Sequence, residues 1–88
     1  MEASEIEQRV REAIPESDVE AADLKGSGDH FGLRVVSPVF EDHSLVQRHR
    51  MVYEALGDAM RAEIHALTIE ALTPDEHRQG LSGDIERG

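Results

Sequence analysis

A long helical pattern separates two short runs of alternating residues in this chain. That spacing limits the topology more than any other feature. "HFGLRVVS", residues 30–37, alternates Phe31, Leu33 and Val35 against Gly32, Arg34 and Val36. "HALTIEAL", residues 65–72, alternates Leu67, Ile69 and Ala71 against Ala66, Thr68 and Glu70. Each predicts a β-strand with one buried face, because side chains alternate sides along a strand. Between them Leu45, Arg48, His49, Val52, Leu56, Ala59 and Met60 share one broad face of a helix running to about residue 64. Neighbouring strands joined by so long a helical segment run parallel, through a right-handed crossover. Gly57 and Asp58 interrupt the pattern, so one kinked helix and two separate helices both fit.

The flanking segments complete the order. Ala3, Ile6, Val10, Ala13 and Ile14 recur at helical spacing, with Ser4 or an earlier residue as the cap and Pro15 as the stop. Val19, Ala21 and Asp23 alternate with Glu20, Ala22 and Leu24, a weaker strand. "KGSGD" is a turn in which Gly26 and Gly28 are free to take positive φ, so the first two strands form a hairpin. "PVFEDHS" reads as a loop or one irregular turn, with Ser44 capping the long helix. Thr73, Pro74 and Glu76 make an N-cap, a first-position proline and a capping box, and so begin a last short helix. Residues 78–88 carry three glycines and no periodicity, the pattern of a disordered tail. The expected fold is therefore a single α+β domain over 1–77. Its order is α-β-β-α-α-β-α, around a three-stranded mixed sheet covered by helices.

Eighty-eight residues suffice for one modest core. With no cysteine, the chain has no thiolate nucleophile or thiolate metal ligand of its own. Any soft metal or cluster held here needs imidazole or carboxylate ligands, or thiolates from a partner. Nineteen acidic residues against nine basic give a net charge of −10, a poor match for a phosphate backbone. The acids are spread along the chain rather than blocked, which favours adaptation to a very salty cytoplasm over an acidic patch for one basic partner. An unfolding midpoint unchanged between dilute buffer and molar KCl would remove that reading. No run is apolar and long enough to cross a membrane, and the acidic start "MEASEIEQRV" lacks a signal-type run, so the expected location is cytoplasmic.

The segments "HFGLRVVSPVF", "LVQRHRMVYEAL" and "IHALTIEALTPDEH", together with the acidic first helix, resemble the BolA family over residues 2–77. Two departures are visible. Asp42 stands where the family usually turns on glycine, and the acidity exceeds the family's norm. The resemblance implies a class II KH-like fold. It also implies partnership with monothiol glutaredoxins of the Cys-Gly-Phe-Ser type, the two proteins bridging a 2Fe–2S cluster in iron–sulfur trafficking and iron homeostasis. Some bacterial relatives resemble DNA-binding regulators of stress and morphology genes. The family's C-terminal histidine falls on His65, and its variable loop position, His or Cys, falls at or beside His30.

His65 opens the predicted third strand and His30 the second. In a parallel pair both N-terminal ends lie at one edge of the sheet, so the two imidazoles converge on one rim. Neutral imidazole is a competent ligand for a 2Fe–2S iron, but two imidazoles cannot supply all four protein ligands. The missing thiolates would come from the partner's cysteine and, by the resemblance, from glutathione. No cluster is expected in the isolated chain. The plainer alternative is a strand-start histidine that caps helix carbonyls or sits in solvent.

Arg48, His49 and Arg50 could form a nucleic-acid patch, or could point inward or pair with Glu54. Aromatic stacking residues are scarce, and no Gly-x-x-Gly clamp occurs in "SPVFEDHS". His43 and His77 read as solvated; Tyr53, Met51 and Met60 sit at helical spacing and read as core. A zinc-bridged or metal-free homodimer is a third reading. No nucleophile, base and orienting group come together in any motif, and no glycine-rich loop leads from a strand into a helix, so the residues point to a non-enzyme.

Overall fold

The computed structural model describes residues 2–26, 28, 30–62, 64 and 66–80. Helix α1 spans Ala3–Ala13, followed by β1 at Asp18–Asp23 and β2 at His30–Val36. A 3₁₀ turn at Pro38–Phe40 leads to α2, Leu45–Leu56, and the short α3, Ala59–Ala62. Strand β3 at Ala66–Leu72 and helix α4 at Pro74–Arg78 complete the order. The expected α-β-β-α-α-β-α order is present, and the 3₁₀ turn is the irregular turn expected as one reading of "PVFEDHS". The expected tail falls mostly on residues 81–88, which lie outside the described residues.

The sheet runs β1-β2-β3. β1 and β2 are antiparallel with Val19 opposite Val35 and Ala21 opposite Leu33. β2 and β3 are parallel with Phe31 opposite Leu67 and Leu33 opposite Ile69. This register sets Val19, Phe31, Leu33, Val35, Ile69 and Ala71 on one face. Ile6, Val10 and Ile14 from the α1 segment and Val52 and Leu56 from α2 pack against them. The other face carries Glu20, Ala22, Gly32, Arg34, Thr68 and Glu70 and forms an open, shallow hollow, with Arg34 ion-paired to Glu20. Among the described residues, no helix is long and apolar enough to cross a membrane.

Local chemistry explains the boundaries. The cap of α1 is Glu2, the earlier residue among the expected positions: Glu2 and Glu5 satisfy each other's backbone N–H groups in a capping box. Ser44 with Gln47, and Thr73 with Glu76, do the same for α2 and α4. Gly57 takes φ +56 and separates α2 from α3, so the interruption gives two helices. Asp42 adopts φ +67, the left-handed region that glycine enters at least cost. Aspartate tolerates this region better than most residues. The outer side of β1 is closed by α1: Glu7 accepts from the Ala21 N–H at 2.9 Å, and Arg11 donates to the Val19 carbonyl at 3.2 Å.

Candidate functional site

The rim at the N-terminal ends of β2 and β3 is built by the parallel pairing. His30 is the first residue of β2 and lies opposite Ala66, the first residue of β3. His65 lies outside the described residues; its chain neighbours Ile64 and Ala66 are described, and Ala66 is the register partner of His30. The strand predicted to open at position 65 is described from Ala66.

The loop before His30 is held from below. The Leu24 N–H donates to the His30 carbonyl at 2.8 Å and closes the hairpin. Inside that closure the Asp23 carboxylate accepts from the backbone N–H groups of Gly26 at 2.9 Å, Gly28 at 2.8 Å and Lys25 at 3.3 Å. Gly26 and Gly28 sit at φ +71 and +80, which turns their N–H groups inward.

A second candidate region is the N-terminal half of α2. Arg48 is 6% exposed and His49 8%, while Arg50 is exposed. The Arg48 guanidinium is committed inside the fold. It donates to Glu76 Oε1 at 2.7 Å, to the Ala71 carbonyl at 3.2 Å and to the His43 carbonyl at 3.0 Å. It also stands 5.8 Å over the Phe40 ring. The Arg48 hydrogen bond, with the Thr73 backbone N–H, holds the Glu76 carboxyl below its ordinary value. His49 and Arg50 line a hollow of about 290 Å³ with Val46 and Tyr53. Tyr53, expected in the core, is 44% exposed, because it stands at the margin of the buried stripe that passes through Val52 and Leu56. His43 Nδ1 lies 3.1 Å from the Glu41 carbonyl, and His77 is exposed on α4. Among the described residues, no three His, Asp or Glu side chains gather where a metal ion could be held.

The model of the BolA family, described as BolA-like protein, matches residues 4–76. The chain belongs to the BolA family. BolA-like protein 1 of Mus musculus is 47% identical over 60 residues, covering 68% of this chain and 44% of the mouse protein. The DNA-binding transcriptional regulator BolA of Haemophilus influenzae is 38% identical over 52 residues, 59% of this chain and 50% of that protein. This BolA domain thus spans half or less of the length of these two curated relatives. Among solved structures, a bolA protein homologue from Coxiella burnetii superposes with a TM-score of 0.77 at 39% identity, covering 89% of this chain and 97% of that one. The family resemblance and the α+β architecture read from the sequence are both confirmed.

In this BolA domain the structure joins position 30 to the start of β3 and ties Arg48 into the interior. It separates Arg48 from the exposed Arg50 next to it in sequence. Two residues with defined roles were not singled out from the sequence. Glu76 was read only as a capping residue, and it is also the partner of Arg48 across 28 positions, a pairing with no local signature. Asp23 was read only as a strand residue. An aspartate just before a Gly-x-Gly turn is a local signal for side-chain bonding to the following backbone, and would have found it.

Proposed function

We propose that this BolA domain is an adaptor in iron–sulfur metabolism that contributes His65 and His30 to a 2Fe–2S cluster shared with a monothiol glutaredoxin of the Cys-Gly-Phe-Ser type. The observation that carries the reading is the β2–β3 register, in which His30 lies opposite the residue that follows His65. The donor chemistry fits. The chain carries His30 at the start of β2, His65 one residue before Ala66 in sequence, and no cysteine, so it can fill part of a cluster's coordination and leaves the thiolate positions to the partner and glutathione. Imidazole ligation raises the potential of such a centre relative to all-thiolate ligation.

Anaerobic reconstitution with iron, sulfide, glutathione and such a glutaredoxin, followed by visible absorption and circular dichroism, tests the reading. The wild-type domain is expected to form a heterocomplex whose spectrum differs from that of the glutaredoxin alone. His65→Ala is expected to return the spectrum to that of the glutaredoxin. A spectrum unchanged by His65→Ala would rule out the ligand assignment.

The name of the Haemophilus influenzae relative favours a second reading, a DNA-binding regulator acting through the start of α2. Against it stand the charge of −10 and the internal commitment of Arg48, which leave Arg50 as the accessible cation of the triplet. A duplex-DNA shift at molar salt that Arg50→Ala abolishes would favour regulation over the adaptor role.

A further inference from the structure

We infer that Asp23 is a positioning residue for the cluster-binding rim: its carboxylate ties down the backbone N–H groups of Lys25, Gly26 and Gly28 and so fixes where His30 enters β2. The inference rests on the adaptor reading for its purpose and on the geometry of the loop for its content.

Three backbone N–H groups converge on one carboxylate. Oδ1 accepts from Gly26 at 2.9 Å and Lys25 at 3.3 Å, and Oδ2 accepts from Gly28 at 2.8 Å. Successive N–H groups aimed at one point make an anion cradle. Here the anion is the chain's own side chain, attached to the last residue of β1. Both carboxylate oxygens are engaged, and bonds to a charged acceptor are about twice as strong as neutral ones. The glycine-rich turn is therefore an internally filled cradle.

Its closure reaches His30 directly. Asp23 lies opposite Phe31 in the β1–β2 register, one position from His30, and the Leu24 N–H donates to the His30 carbonyl at 2.8 Å. The backbone of His30 is thus held on one side by the loop that Asp23 organises and on the other by pairing with Ala66. Asp23 is exposed and adds nothing to the apolar core. Its hydrogen bonds shape the loop, and a ligand held before binding loses less freedom when it binds. Removing groups that orient a metal ligand typically costs ten- to a hundredfold in affinity.

The test uses the whole domain and two readouts. In the first, without metal, ¹⁵N relaxation is measured on wild type, Asp23→Ala and Asp23→Asn. Asp23→Ala is expected to lower the order parameters of Gly26, Gly28 and His30 from about 0.85 toward 0.6, with the thermal midpoint lowered by several degrees as the carboxylate bonds are lost. Asp23→Asn, which keeps one oxygen acceptor, is expected to fall between. A His30 amide as rigid in Asp23→Ala as in wild type overturns the inference, whatever the glycines do. In the second, the reconstituted glutaredoxin heterocomplex is challenged with a chelator, and cluster lifetime is read by visible circular dichroism. Asp23→Ala is expected to shorten the lifetime about tenfold, and to add nothing in a His30→Ala background. A wild-type lifetime in Asp23→Ala beside a shortened one in His30→Ala overturns the positioning role and leaves the adaptor reading intact. Lifetimes indifferent to both His30→Ala and His65→Ala defeat the adaptor reading, and with it the purpose assigned to Asp23.

Discussion

Glu76→Ala is expected to lower the unfolding free energy by about 3 kcal/mol, more than removal of its partner by Arg48→Met, at about 2 kcal/mol. The asymmetry follows from burial. The Arg48 side chain is 8% exposed and that of Glu76 33%. Without Glu76 a guanidinium stays buried without a counter-charge, with only two carbonyls and the Phe40 ring to stabilise it. Without Arg48 the carboxylate has water within reach and keeps the Thr73 N–H at 3.0 Å. The same pair sets an acid limit. The folded-state pKa of Glu76 lies below the ordinary glutamate value of 4.5. Its contribution is therefore present above that value and is lost as pH falls through the folded-state pKa. Urea unfolding of wild type from pH 7 downward is expected to show falling stability on this acid limb, with a shallower fall in Glu76→Ala. Equal costs for the two substitutions would mean that the guanidinium is better solvated than its burial implies.

Phe40→Ala is expected to be still more damaging, at about 3–5 kcal/mol. Phe40 is 0% exposed and belongs to the main core, although it stands on a 3₁₀ turn of three residues. A domain of this size has about 5–10 kcal/mol in total, so the variant should unfold roughly 20 °C lower in a thermal melt. Phe40 also supports Arg48 from beneath its guanidinium. The double variant Phe40→Ala/Arg48→Met should therefore cost about 1 kcal/mol less than the sum of the singles. Strict additivity would show that the ring and the cation are energetically independent.

What was readable in the chain was whatever repeats locally. The alternation of Phe31, Leu33 and Val35 and of Leu67, Ile69 and Ala71 located both core strands. The helical pattern between them required the parallel pairing that the register confirms. Thr73, Pro74 and Glu76 announced α4 because capping is chemistry within four residues. What was not readable depends on contacts between distant segments. Glu2 caps α1 because its backbone and that of Glu5 lie in reach, a matter of geometry rather than residue preference. Tyr53 shares the helical spacing of Val52 and Leu56, and only the packing of α2 on the sheet decides which side faces out. Arg48 carries the charge of a surface residue and lies in the interior because Glu76 returns to meet it.

The bonds from Glu7 and Arg11 to the outer backbone of β1 bear on how the chain avoids its neighbours. An unpaired strand edge is a template on which another chain can add a strand, the first step toward aggregation. In this domain two α1 side chains occupy an N–H and a carbonyl of that edge, 14 and 8 residues away in sequence. Because α1 precedes β1, a chain emerging from the ribosome has the cover available before the strand it protects. Protection against misassembly is thus written into the order of the first two elements, and a chain that began after Pro15 would have to find it elsewhere.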